Sequence, residues 1–145
     1  MNAMAIAVKR VYAGAKRTDG TRILVDRLWP RGLTKAKAAV DEWLRDLAPS
    51  NELRKWFHSQ PGHWASFRKK YMKELSQPEA EADLRKLYHL AEKKKRLTLL
   101  FASRNETCNN AVVLKELLEG MRKPPTSTGA GVVSAQRRRA SARRR

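Results

Sequence analysis

The chain has 145 residues, 41% of them hydrophobic, and a single cysteine, Cys108. This length suits one domain, the apolar content excludes wholesale disorder, and one cysteine excludes an internal disulfide or a cysteine-cluster zinc site. Lys and Arg number 32 against 14 Asp and Glu, a formal net charge of +18; Pro124 to Arg145 holds six arginines and no acid, which leaves +12 in the residues before it.

Such a balance favours polyanionic partners, nucleic acid among them, through phosphate neutralisation and counterion release. No apolar run approaches the roughly 20 residues that a membrane-spanning helix needs. The apolar start runs straight into Lys9 and Arg10, without the regions of a secretory signal. A cytoplasmic setting with no membrane association is therefore expected.

Ala5 to Tyr12 is short, apolar and β-branched and predicts a strand; Asp19-Gly20 marks a turn. Arg22 to Leu28 predicts a second strand, whose continuous Ile23-Leu24-Val25 run fits a sheet covered on both faces, and Trp29-Pro30-Arg31-Gly32 ends it. Val40, Trp43, Leu44 and Leu47 follow helical spacing, with Asp41 and Glu42 at the start of that predicted helix and Pro49 at its end. Ser50 is a natural N-cap for a short helix carrying Leu53, Trp56 and Phe57, which Pro61-Gly62 breaks. Trp64, Phe67, Tyr71 and Leu75 predict the next helix. Pro78, with Glu79 and Glu81, opens another through Leu84, Leu87, Tyr88 and Ala91.

Leu97 to Ala102 predicts a third strand, and Ser103 to Asn109 a polar loop. Thr107 or Asn109 can cap a last helix through Ala111, Leu114, Leu117 and Leu118, ending at Gly120. The expected architecture is a single α/β domain over residues 1–122: a small, mainly parallel sheet of three strands or slightly more, flanked by about five helices. Residues 123–145, rich in Ser, Gly, Ala and Arg, are expected to form a disordered tail.

Open parallel sheets bind ligands beyond the C-terminal ends of their strands. Those ends present Arg10 and Tyr12, then Asp26, Arg27 and Arg31, then Ser103, Arg104 and Asn105, with Asn109 and Asn110 at the start of the last helix. Arginine grips phosphate or carboxylate in a bidentate fork, and free N–H groups at a helix start attract anions. Arg27, Arg31 and Arg104 are thus expected anion clamps, Asn105, Asn109 and Asn110 hydrogen-bonding groups, and Tyr12 and Trp29 a wall. Asp26 would orient a polar group or take a proton; the alternative is that it pairs with a neighbouring arginine to fix the sheet edge. Cys108, before a helix N-terminus, is a second candidate for chemistry, as is His58, which follows Trp56-Phe57. His58, His63 and His89 have no metal-ligand spacing, and neither a metal nor another cofactor is expected. Trp43, Trp56 and Trp64 fall on predicted helix faces and are assigned to the core.

Asp26-Arg27-Leu28-Trp29-Pro30-Arg31-Gly32, Asp41-Glu42-Trp43, Ala48-Pro49-Ser50, Leu53-Arg54-Lys55-Trp56-Phe57-His58, Leu97-Thr98-Leu99-Leu100 and Asn109-x-Ala111 form an ordered series. That series resembles the bacterial family called domain of unknown function 488, in its short YeaO-like branch, over about residues 5 to 122. The resemblance implies a parallel α/β fold and no settled activity. Longer relatives carry cysteines at the third strand and at the start of the following helix, which implies thiol chemistry for them. Cys108 matches the second position here, but Phe101 stands at the first.

Two functions follow from these residues. The first is binding of, or action on, a phosphate-bearing or other anionic small molecule at the strand ends. The second is non-specific nucleic-acid binding by the basic domain and by Arg137, Arg138, Arg139, Arg143, Arg144 and Arg145 of the tail. The oligomeric state is not legible from the sequence.

Overall fold

The computed structural model describes residues 5–121. The arginine-rich tail, with its two arginine triplets, lies outside the described residues. Four parallel strands, β1 (Ile6–Arg10), β2 (Thr21–Leu24), β3 (Glu42–Trp43) and β4 (Leu97–Phe101), form one sheet in the order β1-β4-β2-β3. The five α-helices are α1 (Lys35–Ala38), α2 (Asn51–Ser59), α3 (Trp64–Leu75), α4 (Pro78–Lys93) and α5 (Asn110–Gly120). The single α/β domain with a small parallel sheet is as the sequence predicts.

The helix boundaries follow local chemistry. The Ser50 hydroxyl accepts from Leu53 N to open α2, and the Asn109 side chain accepts from Val112 N to open α5. Pro78 begins α4, where a missing N–H costs nothing.

Strand alternation divides the core in two. Ile6, Ile23, Val25, Leu97, Leu99 and Phe101 face α2 to α5 in the large cluster. Leu24 and Leu100 point the other way, with Val11 and Ala38, against Trp29, Leu33, Val40 and Trp43. Central β4 is buried at every position, which is why Leu97 to Phe101 reads as a nearly unbroken apolar run.

The helix expected through Val40, Trp43, Leu44 and Leu47 is absent. Val40 and Trp43 pack in one cluster, Leu44 and Leu47 in the other. Trp43 and Leu44 thus alternate as strand residues do, and the chain adds β3 beside β2 before a single 3-10 turn at Arg45–Leu47. Backbone bonds from Asp41 N to Arg22 O and from Leu44 N to Leu24 O hold this edge. Asp41 and Glu42 therefore serve no helix dipole: Asp41 accepts from Arg22 N at 2.8 Å, and Glu42 pairs with Lys86 at 3.0 Å.

The strands also end sooner than their apolar runs. β1 gives way to a 3-10 turn at Val11–Ala13. β2 leaves the ladder after Val25 N bonds Leu100 O at 3.2 Å, because Asp26 then offers its side chain where main chain would pair.

Asp19, read in the sequence only as a turn residue, anchors the second face. Arg22 donates to its Oδ2 at 2.5 Å and to the Ala38 and Ala39 carbonyls, Lys9 reaches both carboxylate oxygens at 3.0 Å, and the Lys16 N–H closes the turn. Buried Thr98 of β4 donates to the Asp19 carbonyl at 2.7 Å. The adjoining Gly20 has φ +69°, and a Cβ there would stand 2.3 Å from the Arg96 carbonyl oxygen, so only glycine lets β2 start this close to β4.

Burial would raise the Asp19 carboxyl, but the Lys16 N–H, Lys9 and Arg22 outweigh it and hold the group below its ordinary value. A lowered carboxyl stabilises the fold above its unfolded pKa, and that contribution is lost as pH falls through the folded value. Asp19→Asn is expected to cost about 3 kcal/mol at pH 7, because buried Arg22 loses its partner. In urea denaturation the gap to wild type should narrow below about pH 4; a gap independent of pH would contradict this role.

Candidate functional site

A cleft of about 660 Å³ opens at the C-terminal ends of β2 and β4, between the Asp26–Arg31 segment, α2 and the loop leading into α5. It is lined by every candidate read from the described sequence: Tyr12, Asp26, Arg27, Trp29, Arg31, His58, Arg104, Asn105, Cys108, Asn109 and Asn110. Its volume lies in the range of small-molecule sites.

Asp26 forms the floor. Its Oδ2 accepts from Ala102 N at 2.8 Å, and its Oδ1 from Asn110 Nδ2 at 3.1 Å. Asn110 Nδ2 also donates to the Val25 carbonyl at 2.9 Å. One carboxylate thus joins the ends of β2 and β4 to the first turn of α5. Burial pushes the Asp26 carboxyl above its ordinary value; the Ala102 N–H, Asn110 and the charge of Arg54 pull in the opposite direction without overcoming it. Beneath it, burial first and then the charges of Asp26 and Glu74 hold the Tyr71 hydroxyl well above its ordinary value, so it stays protonated and donates to the Leu47 carbonyl.

The polar residues of the loop are largely committed to shaping it. Asn105 Oδ1 accepts from Thr107 N at 3.1 Å and Cys108 N at 2.9 Å, while Asn109 caps α5 and donates through Nδ2 to the Asn105 carbonyl. Cys108 is half-buried and free, with Thr107 Oγ1 3.9 Å from its sulfur. Tyr12 and Trp29 are pinned walls: the Tyr12 hydroxyl donates to the Arg31 carbonyl at 2.8 Å, and Trp29 Nε1 to the Leu33 carbonyl at 2.7 Å. Trp29 meets Trp43 edge-on, with ring centres 5.4 Å apart, and Trp43 in turn donates to the Asp26 carbonyl.

The arginines divide sharply. Arg10 donates to the Ser103 and Ala102 carbonyls and lies 5.1 Å over the Tyr12 ring, so it braces the rim. Arg27 donates one bond, to the Ala48 carbonyl at 3.2 Å, and its buried Nε has no partner among the described residues. Arg31, Arg54 and Arg104 are exposed on the cleft and make no side-chain hydrogen bond or ion pair with another described residue. The alternative reading, in which Asp26 pairs with a neighbouring arginine, does not hold: its two direct bonds are to an amide and a backbone N–H.

Arg54 escaped the sequence reading, as did Phe57 and Phe67 on the wall. Arg54 and His58 stand one turn apart on α2, and both line the cleft. That i, i+4 spacing was the available signal once His58 was suspected. Among the described residues no three His, Cys, Asp or Glu side chains are grouped to hold a metal ion, and no helix is long and apolar enough to cross a membrane.

A carboxyl raised by burial is disfavoured when ionised, so Asp26 weakens the fold as pH rises from its unfolded pKa through its folded one. Carboxyl titration by NMR should place its midpoint above that of a free aspartate, and Arg54→Ala should move it higher by removing a nearby positive charge. A midpoint unmoved in Arg54→Ala would separate the two groups electrostatically.

Residues 5–130 match the family model described as the inactive DUF488-N3 subclade. The uncharacterized protein YeaO of Escherichia coli (strain K12) is 48% identical over 118 residues, covering 81% of this chain and 100% of that protein. The uncharacterized protein Rv3073c of Mycobacterium tuberculosis (strain ATCC 25618 / H37Rv) is 41% identical over 115 residues, covering 79% of this chain and 94% of its own. No solved structure gives a significant match. With the family model spanning nearly all of the described fold and such relatives matched along almost their whole length, the chain belongs to the DUF488 family, in the subclade described as inactive DUF488-N3.

Proposed function

We propose that the strand-end cleft is a receptor site for a small anionic ligand, most simply one bearing a phosphate. The observation that carries this reading is the set of unengaged guanidinium groups of Arg31, Arg54 and Arg104 around one cavity. Several arginines away from the cleft are spent within the protein, as Arg22 is on Asp19, Arg68 on Glu116 and Arg85 on Glu81. Three guanidiniums lining one cavity make it electropositive, and an anion there gains charge-assisted hydrogen bonds. The dipole of α5, whose first turn abuts Asp26, adds to the positive field at the cleft.

The reading is binding and not turnover. By resemblance, the strand position that bears a cysteine in longer relatives is Phe101, which is buried in the core. The description of the subclade as inactive is in keeping with that substitution.

A second reading, non-specific nucleic-acid binding, draws on the net charge of +18. It also draws on a separate group of exposed cations, Lys16, Arg17, Lys94, Lys95 and Arg96, gathered at the opposite end of the strands, where Thr21 N bonds the Arg96 carbonyl. The two readings place the partner at different ends of the sheet.

Calorimetric titration with pyrophosphate at fixed ionic strength tests the first. Arg31→Ala, Arg54→Ala and Arg104→Ala should each weaken binding about tenfold or more, and Arg85→Ala, on the outer face of α4, should leave it unchanged. Equal losses in all four variants would reduce the interaction to general charge attraction.

A further inference from the structure

The cleft is not uniformly cationic, and its polarity restricts what fits. A bare anion seated on the floor would meet the Asp26 carboxylate, which lies inside the cavity while Arg31, Arg54 and Arg104 stand exposed around it. Each Asp26 oxygen accepts one protein hydrogen bond. A carboxylate has about four acceptor positions, so capacity remains for donors from a ligand. The complement to this site has a hydrogen-bond donor at one end and an anion at the other.

What joins the two ends must be largely apolar. Trp29, Pro30 and Phe57 line the same cleft. Among the described residues the exposed large hydrophobics are Leu28, 67% accessible, and Tyr12, 40% accessible, and both belong to this one cleft. Single exposed apolar residues are ordinary, but their gathering at one opening beside Trp29 marks a surface that gains from being covered. A sugar phosphate offers no apolar body to it, and an unsubstituted aromatic carboxylate offers no donor to Asp26. A purine or pyrimidine with an exocyclic amino group offers both, and bases bind aromatic and apolar walls through their flat faces.

We infer that the ligand is a nucleoside monophosphate with an amino-bearing base, the base held by Asp26 between the apolar walls and the phosphate by Arg31, Arg54 and Arg104. This rests on the anion-binding reading of the same cleft. A base that turns carbonyl oxygens towards the carboxylate, as uracil does on either side of its single N–H, is disfavoured there.

Calorimetry with AMP, CMP, UMP, adenosine and inorganic phosphate tests the inference. AMP and CMP are expected to bind about tenfold more tightly than UMP and than inorganic phosphate. Asp26→Asn, whose amide can donate as well as accept, should narrow the gap between AMP and UMP. Leu28→Ser, at a side chain too exposed to matter for folding, should lower the ratio of AMP to phosphate affinity even if the Asp26 variant does not fold. If inorganic phosphate binds and AMP binds no tighter, the nucleotide inference is overturned while the anion site stands. If neither binds, both readings fall.

Discussion

Beyond the last paired residues of β2, the Asp26 carboxylate occupies the position a further strand residue would have taken, accepting the Ala102 N–H with one oxygen and the Asn110 amide with the other. The site is built around that exchange. The chain leaves the sheet at Asp26, which frees the Arg27–Arg31 segment to rise as one side of the cleft. Asn110, held by Asp26 and the Val25 carbonyl, fixes where α5 begins. Asn109 caps that helix, and its bond to the Asn105 carbonyl shapes the loop that carries Arg104 and Cys108. The arrangement costs the fold an ionisable group in a covered position, and the raised Asp26 carboxyl expresses that cost.

The two carboxylates at either end of β2 show how context decides the same chemistry. Asp19 is ringed by Lys9, Arg22 and the Lys16 N–H, and its charge is fully used within the protein. Asp26 has one amide and one backbone N–H, with arginine charge near but not bonded. The first is a structural anchor at the start of β2 and the second a group with acceptor capacity left over at its end. Arginines repeat the contrast. Arg10 and Arg22 are consumed by backbone carbonyls and Asp19, whereas Arg31, Arg54 and Arg104 surround empty volume.

Most of the frame was legible in the sequence because it depends on local signals. Ser50 and Pro78 start the helices they were expected to start, Asn109 is the one of the two candidate caps that opens α5, and β4 shows in its unbroken apolar run. Strand ends gathered by a parallel sheet then bring Asp26, Arg31 and Arg104 to one cleft, as the topological rule anticipates. What misled was spacing alone. Val40, Trp43, Leu44 and Leu47 satisfy a helical period, yet pack into two different clusters on opposite faces of the sheet, and β2 alone supplies the neighbour that makes the segment a strand. The role of Asn105 was hidden for the same reason: its bonds within the loop exist only once the loop is folded. Arg54 belongs to a helix distant in sequence from the strand ends, and tertiary packing of α2 brings it to them.

Backbone amide NMR during titration with inorganic phosphate at constant ionic strength tells whether the strand-end cleft is the anion site, because the two basic ends of the sheet carry separate sets of signals. Anion binding in the cleft produces saturable shifts concentrated at Arg27, Arg31, Arg54, Arg104 and Asn110, with Lys94, Lys95 and Arg96 unmoved. Shifts concentrated at Lys94 to Arg96, or spread without saturation over every exposed cation, would contradict it and leave the cleft without a role in anion recognition.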